Sequence, residues 1–183
     1  MPRIERVDLG ICPGYVYDGD RRRTAVAVPG RMLGGMPILG HAVAAINELG
    51  WRVVLVWDEC LDVERRTEWA RTRAVAALEF AGDARLLVGK SLATFAADVV
   101  AERALAAVWL TPLLVVPECV EALRARRAPA LLVGGTGDEA WDGEAARGLS
   151  ADVLELEGAD HGLGRIDQLQ TIVDAVQAFA GRV

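Results

Sequence analysis

A serine with small neighbours follows the apolar run 85–88, in the sequence Gly89-Lys90-Ser91-Leu92-Ala93. A sharp strand-to-helix turn can expose such a serine as a nucleophile. The turn brings the strand and helix backbones close together, so the residues two positions before and after the serine must be small. Gly89 and Ala93 meet that requirement. The pattern predicts acyl-transfer chemistry, in which the Ser91 hydroxyl attacks a carbonyl carbon.

A phosphate-binding loop is an alternative interpretation of the same residues. Gly89-Lys90-Ser91 matches the end of the pattern GxxxxGK[ST], but Ala84 stands where that pattern has its first glycine. The apolar run also leads directly into Gly89 and leaves no room for a loop that wraps a phosphate. The nucleophile interpretation is therefore favoured, while a simple helix N-cap at Ser91 stays open as a structural alternative.

A carboxylate and a histidine each follow a later apolar run. Asp138 comes directly after the glycine-rich residues 134–137, and His161 follows the run 152–156. A histidine can accept the proton of a serine while a carboxylate holds the histidine ring, and the order serine, acid, histidine is one in which such triads occur. The sequence predicts Ser91, Asp138 and His161 as the catalytic residues.

Other polar residues compete for roles at the same site. Asp142 and Asp160 are alternative acids, although the position of Asp142 is more typical of a helix N-cap. His41 is expected to be structural or exposed. Asp58 ends a predicted strand as a phosphoacceptor aspartate does, but the acidic pair that a receiver domain carries after its first strand is absent. Lys90 is expected to point to solvent beside the cleft.

Composition narrows the possible functions. The chain has 183 residues, of which 52% are hydrophobic and 25% charged, and this is typical of one globular domain spanning 1–183. The net charge of −6 disfavours a nucleic-acid partner. The longest apolar stretch, 104–116, is interrupted and too short for a membrane span, and the N-terminus has no apolar secretory region. We therefore expect a cytoplasmic protein with no membrane partner and a small-molecule substrate.

Three cysteines are widely separated and odd in number: Cys12, Cys60 and Cys119. Their spacing does not match a metal-binding or redox motif. They are predicted to be buried, reduced thiols, and neither a metal nor a cofactor is expected.

Short apolar runs alternate with helical patterns along the chain. The predicted strands are 24–28, 51–57, 85–88, 106–110, 130–133 and 152–156, and the predicted helices are 37–49, 63–81, 92–105, 117–127, 141–149 and 166–180. This alternation predicts an α/β fold, a doubly wound and mostly parallel sheet with helices on both faces. Residues 3–9 and 14–17 are predicted to add an N-terminal hairpin.

The motifs VGKSLA, VGGTGDEAW and LEGADHGL resemble the nucleophile, acid and histidine motifs of the α/β-hydrolase superfamily. The resemblance runs from about Thr24 to the C-terminus and is strongest to small serine hydrolases of the dienelactone-hydrolase-like and carboxylesterase-like kind. Ala93 replaces the more common second glycine, and Pro29-Gly30 replaces the usual His-Gly of the oxyanion loop. Only residues 111–116 separate a predicted strand from the next helix, where larger relatives insert a cap, so a cap-less fold is expected.

The resemblance also implies a substrate class and further site residues. The reaction expected is cleavage of a small ester, thioester or lactone through an acyl-enzyme, and the alternative is an inactive binding or scaffold protein with the same fold. The expected oxyanion donors are the backbone N–H groups of Leu92 and of either Arg31 or Met32. The apolar walls of a shallow cleft are expected to come from Met32, Met36, Leu92, Leu113 and Leu114. The oligomeric state is left open.

Overall fold

Eight strands form one sheet in the computed structural model, which describes residues 3–33, 36–150 and 152–183. The strands are β1 (Ile4–Asp8), β2 (Pro13–Tyr17), β3 (Asp20–Val28), β4 (Trp51–Val56), β5 (Ala84–Lys90), β6 (Ala106–Leu110), β7 (Ala130–Gly135) and β8 (Asp152–Leu156). Their order in the sheet is β1-β2-β4-β3-β5-β6-β7-β8. Strands β3 to β8 are parallel to one another, whereas β1 and β2 form an antiparallel hairpin in which β2 pairs antiparallel with β4. The predicted mostly parallel sheet and the N-terminal hairpin are both confirmed.

The helices cover both faces of this sheet. In the described ranges they are α1 (Met36–Glu48), α2 (Arg66–Ala81), α3 (Ala97–Glu102), α4 (Pro117–Arg124), α5 (Gly143–Leu149) and α6 (Ile166–Ala180). Helices α1 and α6 pack together on one face, and α2 to α5 bury the other. The central strands are apolar on both faces for this reason, and the last four residues of β3 are fully buried.

The largest departure from the predicted elements follows Ser91. The predicted helix 92–105 is instead a 3₁₀ segment, Ser91–Ala96, followed by the short helix α3. Every residue of the 3₁₀ segment is buried, so its apolar residues carry no helical periodicity that would separate the two forms. The predicted helix 63–81 likewise begins as a 3₁₀ turn, Val63–Arg65, and β3 begins at Asp20 rather than at residue 24.

The carboxyl ends of the parallel strands lie along one edge of the sheet. Ser91 follows β5 there, Thr111 follows β6, Asp138 lies in the loop after β7, and His161 lies in the loop after β8. The connection from β6 to α4 consists of residues 111–116 alone, so no cap is inserted at that point. The edge that gathers these side chains is the one at which open α/β sheets bind their ligands.

The three cysteines are buried, as predicted, and carry free thiols. Burial raises the pKa of all three thiols, that of Cys119 to about 12. Among the described residues, no helix has the length and hydrophobicity required to cross a membrane.

Candidate active site

Ser91 occupies a strained turn at the end of β5. Its φ of 50° lies in the left-handed region, which a non-glycine residue rarely adopts. A Cβ on Gly89 would lie 2.5 Å from the ring of Trp109 and 3.1 Å from the Cβ of Ala93. The residues two positions before and two positions after the serine must therefore be small. We call residues 89–93 the serine turn. Backbone strain held in place by close packing is a common feature of functional sites.

A threonine that the sequence analysis did not single out fixes this turn. The Thr94 hydroxyl donates a hydrogen bond to the Ser91 carbonyl oxygen at 2.6 Å and accepts one from the Leu113 N–H at 3.3 Å. Thr94 is fully buried, so these bonds do not compete with water. The serine turn is thereby joined to the loop after β6. A hydroxyl residue three positions after the serine is the only sequence signal for this contact.

A chain of hydrogen bonds connects the three predicted catalytic residues. The Nε2 of His161 lies 2.7 Å from the Oγ of Ser91, and its Nδ1 lies 2.8 Å from Oδ2 of Asp138. An ionised carboxylate only accepts, so the ring proton belongs on Nδ1 and Nε2 is left to accept from the serine hydroxyl. Oδ1 of Asp138 accepts the N–H of Ala140 at 2.9 Å, which fixes the carboxylate plane. The side chain of Asp138 is only 2% exposed.

The competing acids have other partners. Asp142 is the N-cap of α5 and accepts from the N–H of Ala145, while Asp160 accepts from the N–H of Gly162. Neither carboxylate hydrogen-bonds to His161. The structure therefore brings Asp138, and not its two competitors, to the histidine ring.

The two remaining polar candidates lie outside this hydrogen-bonded chain. His41 is exposed on α1. Asp58 pairs with the guanidinium of Arg73 at 2.8 Å and accepts from the indole N–H of Trp69 at 3.2 Å. These contacts give Asp58 a structural role between β4 and α2.

Glycines allow the acid and histidine loops to meet. A Cβ on Gly135 would lie 2.2 Å from the carbonyl oxygen of Ala159, and a Cβ on Gly134 would overlap the ring of Trp141. The N–H of Gly137 donates to the same Ala159 oxygen at 3.0 Å. The glycine-rich sequence after β7 therefore serves close backbone approach, which brings Asp138 within reach of the loop that carries His161.

Lys90 is buried, so the prediction that it points to solvent is wrong. Its exposed fraction is 5%, and its Nζ donates to the carbonyl oxygen of His161 at 3.1 Å and to Oγ1 of Thr111 at 3.3 Å. Burial lowers the pKa of Lys90, whereas the negative charges of Asp138 and Asp160 act in the opposite direction. These polar and charged partners, none of them near in sequence, let the ammonium group lie inside the protein.

The loop after β3 passes directly beside Ser91. A Cβ on Gly30 would lie 3.3 Å from the Cβ of Ser91. Two hydrogen bonds hold this loop, from the Cys60 N–H to the Arg31 carbonyl oxygen and from the Leu33 N–H to Oε1 of Glu59, both 2.9 Å long. The Leu33 amide is therefore engaged elsewhere, and the sequence analysis gave no indication of the contact with Glu59.

The predicted oxyanion donors lie on the two segments that flank the Ser91 hydroxyl. Leu92 follows Ser91 at the start of the 3₁₀ segment, and Arg31 and Met32 belong to the loop after β3. The donation of their amides to a reacting oxygen stays a prediction.

The predicted apolar walls differ in how much surface they offer. Met32 is 60% exposed, Leu113 is half-buried, and Leu114 is only 4% exposed. Met36 begins α1, and its side chain lies outside the described residues. A groove of about 380 Å³ lies between the first turns of α1 and the residues that follow His161. It is lined by Pro37, Ile38, His41, Gly162, Leu163, Gly164, Arg165, Ile166 and Leu169.

Replacing Gly30 with alanine is expected to lower kcat/KM for a short ester by about tenfold or more. The new methyl group crowds the Ser91 side chain, and small displacements of a nucleophile carry large kinetic penalties. Steady-state kinetics and thermal unfolding measure the effect. The matched control is Gly148→Ala on α5, where an added Cβ meets no described atom within 4 Å. That variant should keep full activity and gain up to about 1 kcal/mol of stability from helix propensity. Unchanged kinetics in Gly30→Ala would contradict the proximity of this loop to the reacting atoms.

No group of histidine, cysteine, aspartate or glutamate side chains in residues 3–33, 36–150 and 152–183 is arranged to hold a metal ion.

Comparison with solved structures identifies the fold. No protein-family model and no curated protein matches the sequence. The structure is similar to Est1E from Butyrivibrio proteoclasticus, with a TM-score of 0.76 and 15% identity over 98% of each chain. It is also similar to the esterase domain of a Rhodothermus marinus protein, with a TM-score of 0.74 and 16% identity over 98% of this chain and 99% of that one. A putative hydrolase of the alpha/beta superfamily from Xanthomonas campestris gives a TM-score of 0.71 and 20% identity over 88% of this chain and 99% of its own.

These neighbours share the architecture that the sequence motifs predicted. The similarity extends over nearly the whole chain in each case, and the link between β6 and α4 is too short to carry a cap. The chain has the α/β-hydrolase fold in a minimal form.

Proposed function

We propose that this protein is a serine hydrolase that cleaves a small ester, thioester or lactone. The observation that carries the proposal is the hydrogen-bonded chain from Ser91 through His161 to Asp138, with links of 2.7 and 2.8 Å. The strained φ of Ser91 and the esterases among the structural neighbours support it further.

Acylation begins at the serine hydroxyl. The Ser91 Oγ attacks the acyl carbon while Nε2 of His161 accepts the hydroxyl proton, which gives an imidazolium ion. Asp138 holds the Nδ1–H and stabilises this ion. His161 then returns the proton to the leaving alcohol or thiol as its bond to the acyl carbon breaks, and an acyl-enzyme remains on Ser91.

Deacylation repeats these steps with water in place of the serine. His161 accepts a proton from the water as its oxygen attacks the acyl carbon, and the acid product leaves as Ser91 Oγ regains a proton. In both half-reactions the carbonyl oxygen gains negative charge. Backbone N–H groups of Leu92 and of Arg31 or Met32 are the donors that we assign to that oxygen.

A small substrate fits the surroundings of the nucleophile. The six residues 111–116 are the whole connection between β6 and α4, so no cap covers a long acyl chain at that point. Ser91 itself keeps only 9% of its surface exposed. Short acyl groups are therefore favoured over long ones.

A fluorophosphonate probe tests this proposal. The purified protein should gain one probe mass, located on Ser91 by peptide mapping, and should hydrolyse p-nitrophenyl acetate or butyrate faster than long-chain esters. The matched control is Ser150→Ala, which removes the only other serine and should leave labelling unchanged. A protein that takes up no probe and turns over no short ester is instead a scaffold that keeps the fold without the reaction, as the atypical Pro29-Gly30 loop would then indicate.

A further inference from the structure

Lys90 connects the serine turn to the main chain of the histidine. It is the residue immediately before Ser91 and the only lysine in the chain. Its Nζ donates to the carbonyl oxygen of His161, 71 positions further along the sequence, at 3.1 Å. A second bond, to Oγ1 of Thr111 at 3.3 Å, joins the end of β6 to the same ammonium group. One side chain thus links the ends of β5 and β6 with residues 157–165, which we call the histidine loop.

A packing role alone does not explain a lysine at this position. Lys90 is 5% exposed, and burying an ammonium group is unfavourable unless its charge and its donors are used. An apolar side chain of similar length would pack the same space without that penalty. A buried ammonium group with two directed hydrogen bonds therefore calls for a role in the neighbouring site.

The charges around Lys90 indicate that role. The ammonium group donates to the carbonyl oxygen of His161 in the histidine loop, and the negative charges of Asp138, in the loop after β7, and of Asp160 act to raise the pKa of Lys90 against the effect of burial. The group facing it from the end of β6, Thr111, is neutral. The ammonium group therefore lies among polar and charged groups from the same loops that carry Asp138 and His161.

Resting on the proposed serine-hydrolase function, we propose that Lys90 is a positioning residue that fastens the histidine loop to the serine turn and holds a fixed positive charge beside the Asp138–His161 pair. It touches no reacting atom, and it acts through the placement and the charge environment of His161. Burial of the Lys90 side chain and its two bonds across the strand ends are the observations that carry this role.

Three substitutions separate the charge from the packing: Lys90→Met, Lys90→Gln and Lys90→Arg. The first readout is the rate constant for fluorophosphonate labelling of Ser91, and the second is an NMR pH titration of the His161 ring. The chain has two histidines only, so His41→Gln assigns the two ring signals. Thermal unfolding of each variant gives its folded fraction. Thr111→Val is the matched control, because it removes one partner of Lys90 and keeps the charge.

The two uncharged variants should change both readouts. Labelling should slow by about tenfold or more in Lys90→Met and Lys90→Gln, because the histidine loop loses its link to the serine turn. The pH midpoint measured for the His161 ring should move to higher pH in both variants, because a nearby positive charge disfavours a second one on the ring. Lys90→Arg and Thr111→Val should keep the wild-type midpoint to within roughly 0.3 units, since the positive charge remains.

Two sets of results would contradict the proposed role of Lys90. Wild-type labelling rates and an unchanged midpoint in the uncharged variants would overturn the proposal. So would a loss of labelling that only follows the unfolded fraction while the midpoint stays fixed, because that describes a purely structural lysine. If Lys90→Met does not fold, Lys90→Gln decides the question. A wild-type protein that is never labelled refutes the serine-hydrolase proposal, and the NMR midpoint then decides the role of the Lys90 charge by itself.

Discussion

Replacing Ser91 with alanine is expected to lower kcat for p-nitrophenyl acetate by at least about 10³-fold. In the proposed mechanism the hydroxyl oxygen is the atom that forms the acyl-enzyme, and alanine offers no atom in its place. Since Ala also has a Cβ, the variant keeps the same strained φ of 50°, and its fold should not change. Stopped-flow and steady-state assays at one pH, with circular dichroism to confirm folding, measure the effect.

Two further serine variants sharpen this test. Ser150→Ala should keep wild-type kinetics, because Ser150 donates to the carbonyl oxygen of Ala130 and accepts from the N–H of Asp152, away from Ser91, and it should lose about 1 kcal/mol of stability. Ser91→Gly should be as inactive as Ser91→Ala but more stable, by roughly 1 kcal/mol, because glycine adopts a positive φ without strain. A Ser91→Ala enzyme that retains more than about a tenth of the wild-type kcat would refute the proposed nucleophile.

Local sequence was sufficient to predict the strands of the sheet and the order in which the three site residues follow them. Parallel strands buried on both faces appear as continuous apolar runs, which is why β5 to β8 were recognised close to their observed bounds. Residues that follow such strands meet at one edge of the sheet, so Ser91, Asp138 and His161 were expected to lie together. Gly89 and Ala93 were expected to be small because the backbones on either side of the turn approach closely, whereas in the structure a Cβ on Gly89 would meet the Trp109 ring first and the Cβ of Ala93 next.

Contacts between distant segments were not predictable in the same way. A lysine is usually exposed, and nothing near Lys90 in sequence indicates that a backbone carbonyl 71 residues away will accept its hydrogen bond. The bond from the Leu33 amide to Glu59 likewise depends on how the loops after β3 and β4 lie side by side. The form of the chain after Ser91 was missed for a different reason, since a segment buried on all sides shows no amphipathic period.

The sequence left three aspartates as candidates for the acid, and the structure gives each of them different partners. Asp138 is the only one of the three candidate aspartates that contacts the histidine ring, at 2.8 Å from Nδ1. Its other oxygen is held by the N–H of Ala140 at 2.9 Å. An asparagine at this position can keep the bond to Ala140 through its own oxygen, and the amide NH₂ group then faces His161.

Asp138→Asn is therefore expected to lower kcat/KM on an activated short-chain ester by about 10²-fold or more while leaving the fold intact. The amide donates to Nδ1, so the ring proton moves to Nε2, and Nε2 then donates to the Ser91 hydroxyl instead of accepting its proton. The equivalent change in a well-studied serine protease lowers turnover by about 10⁴. Asp142→Asn, which keeps an N-cap for α5, and Asp160→Asn should each stay within roughly tenfold of wild type. If one of these two controls loses most of its activity while Asp138→Asn remains active, Asp138 is not the acid. That result would still be consistent with a serine hydrolase that uses a different acid.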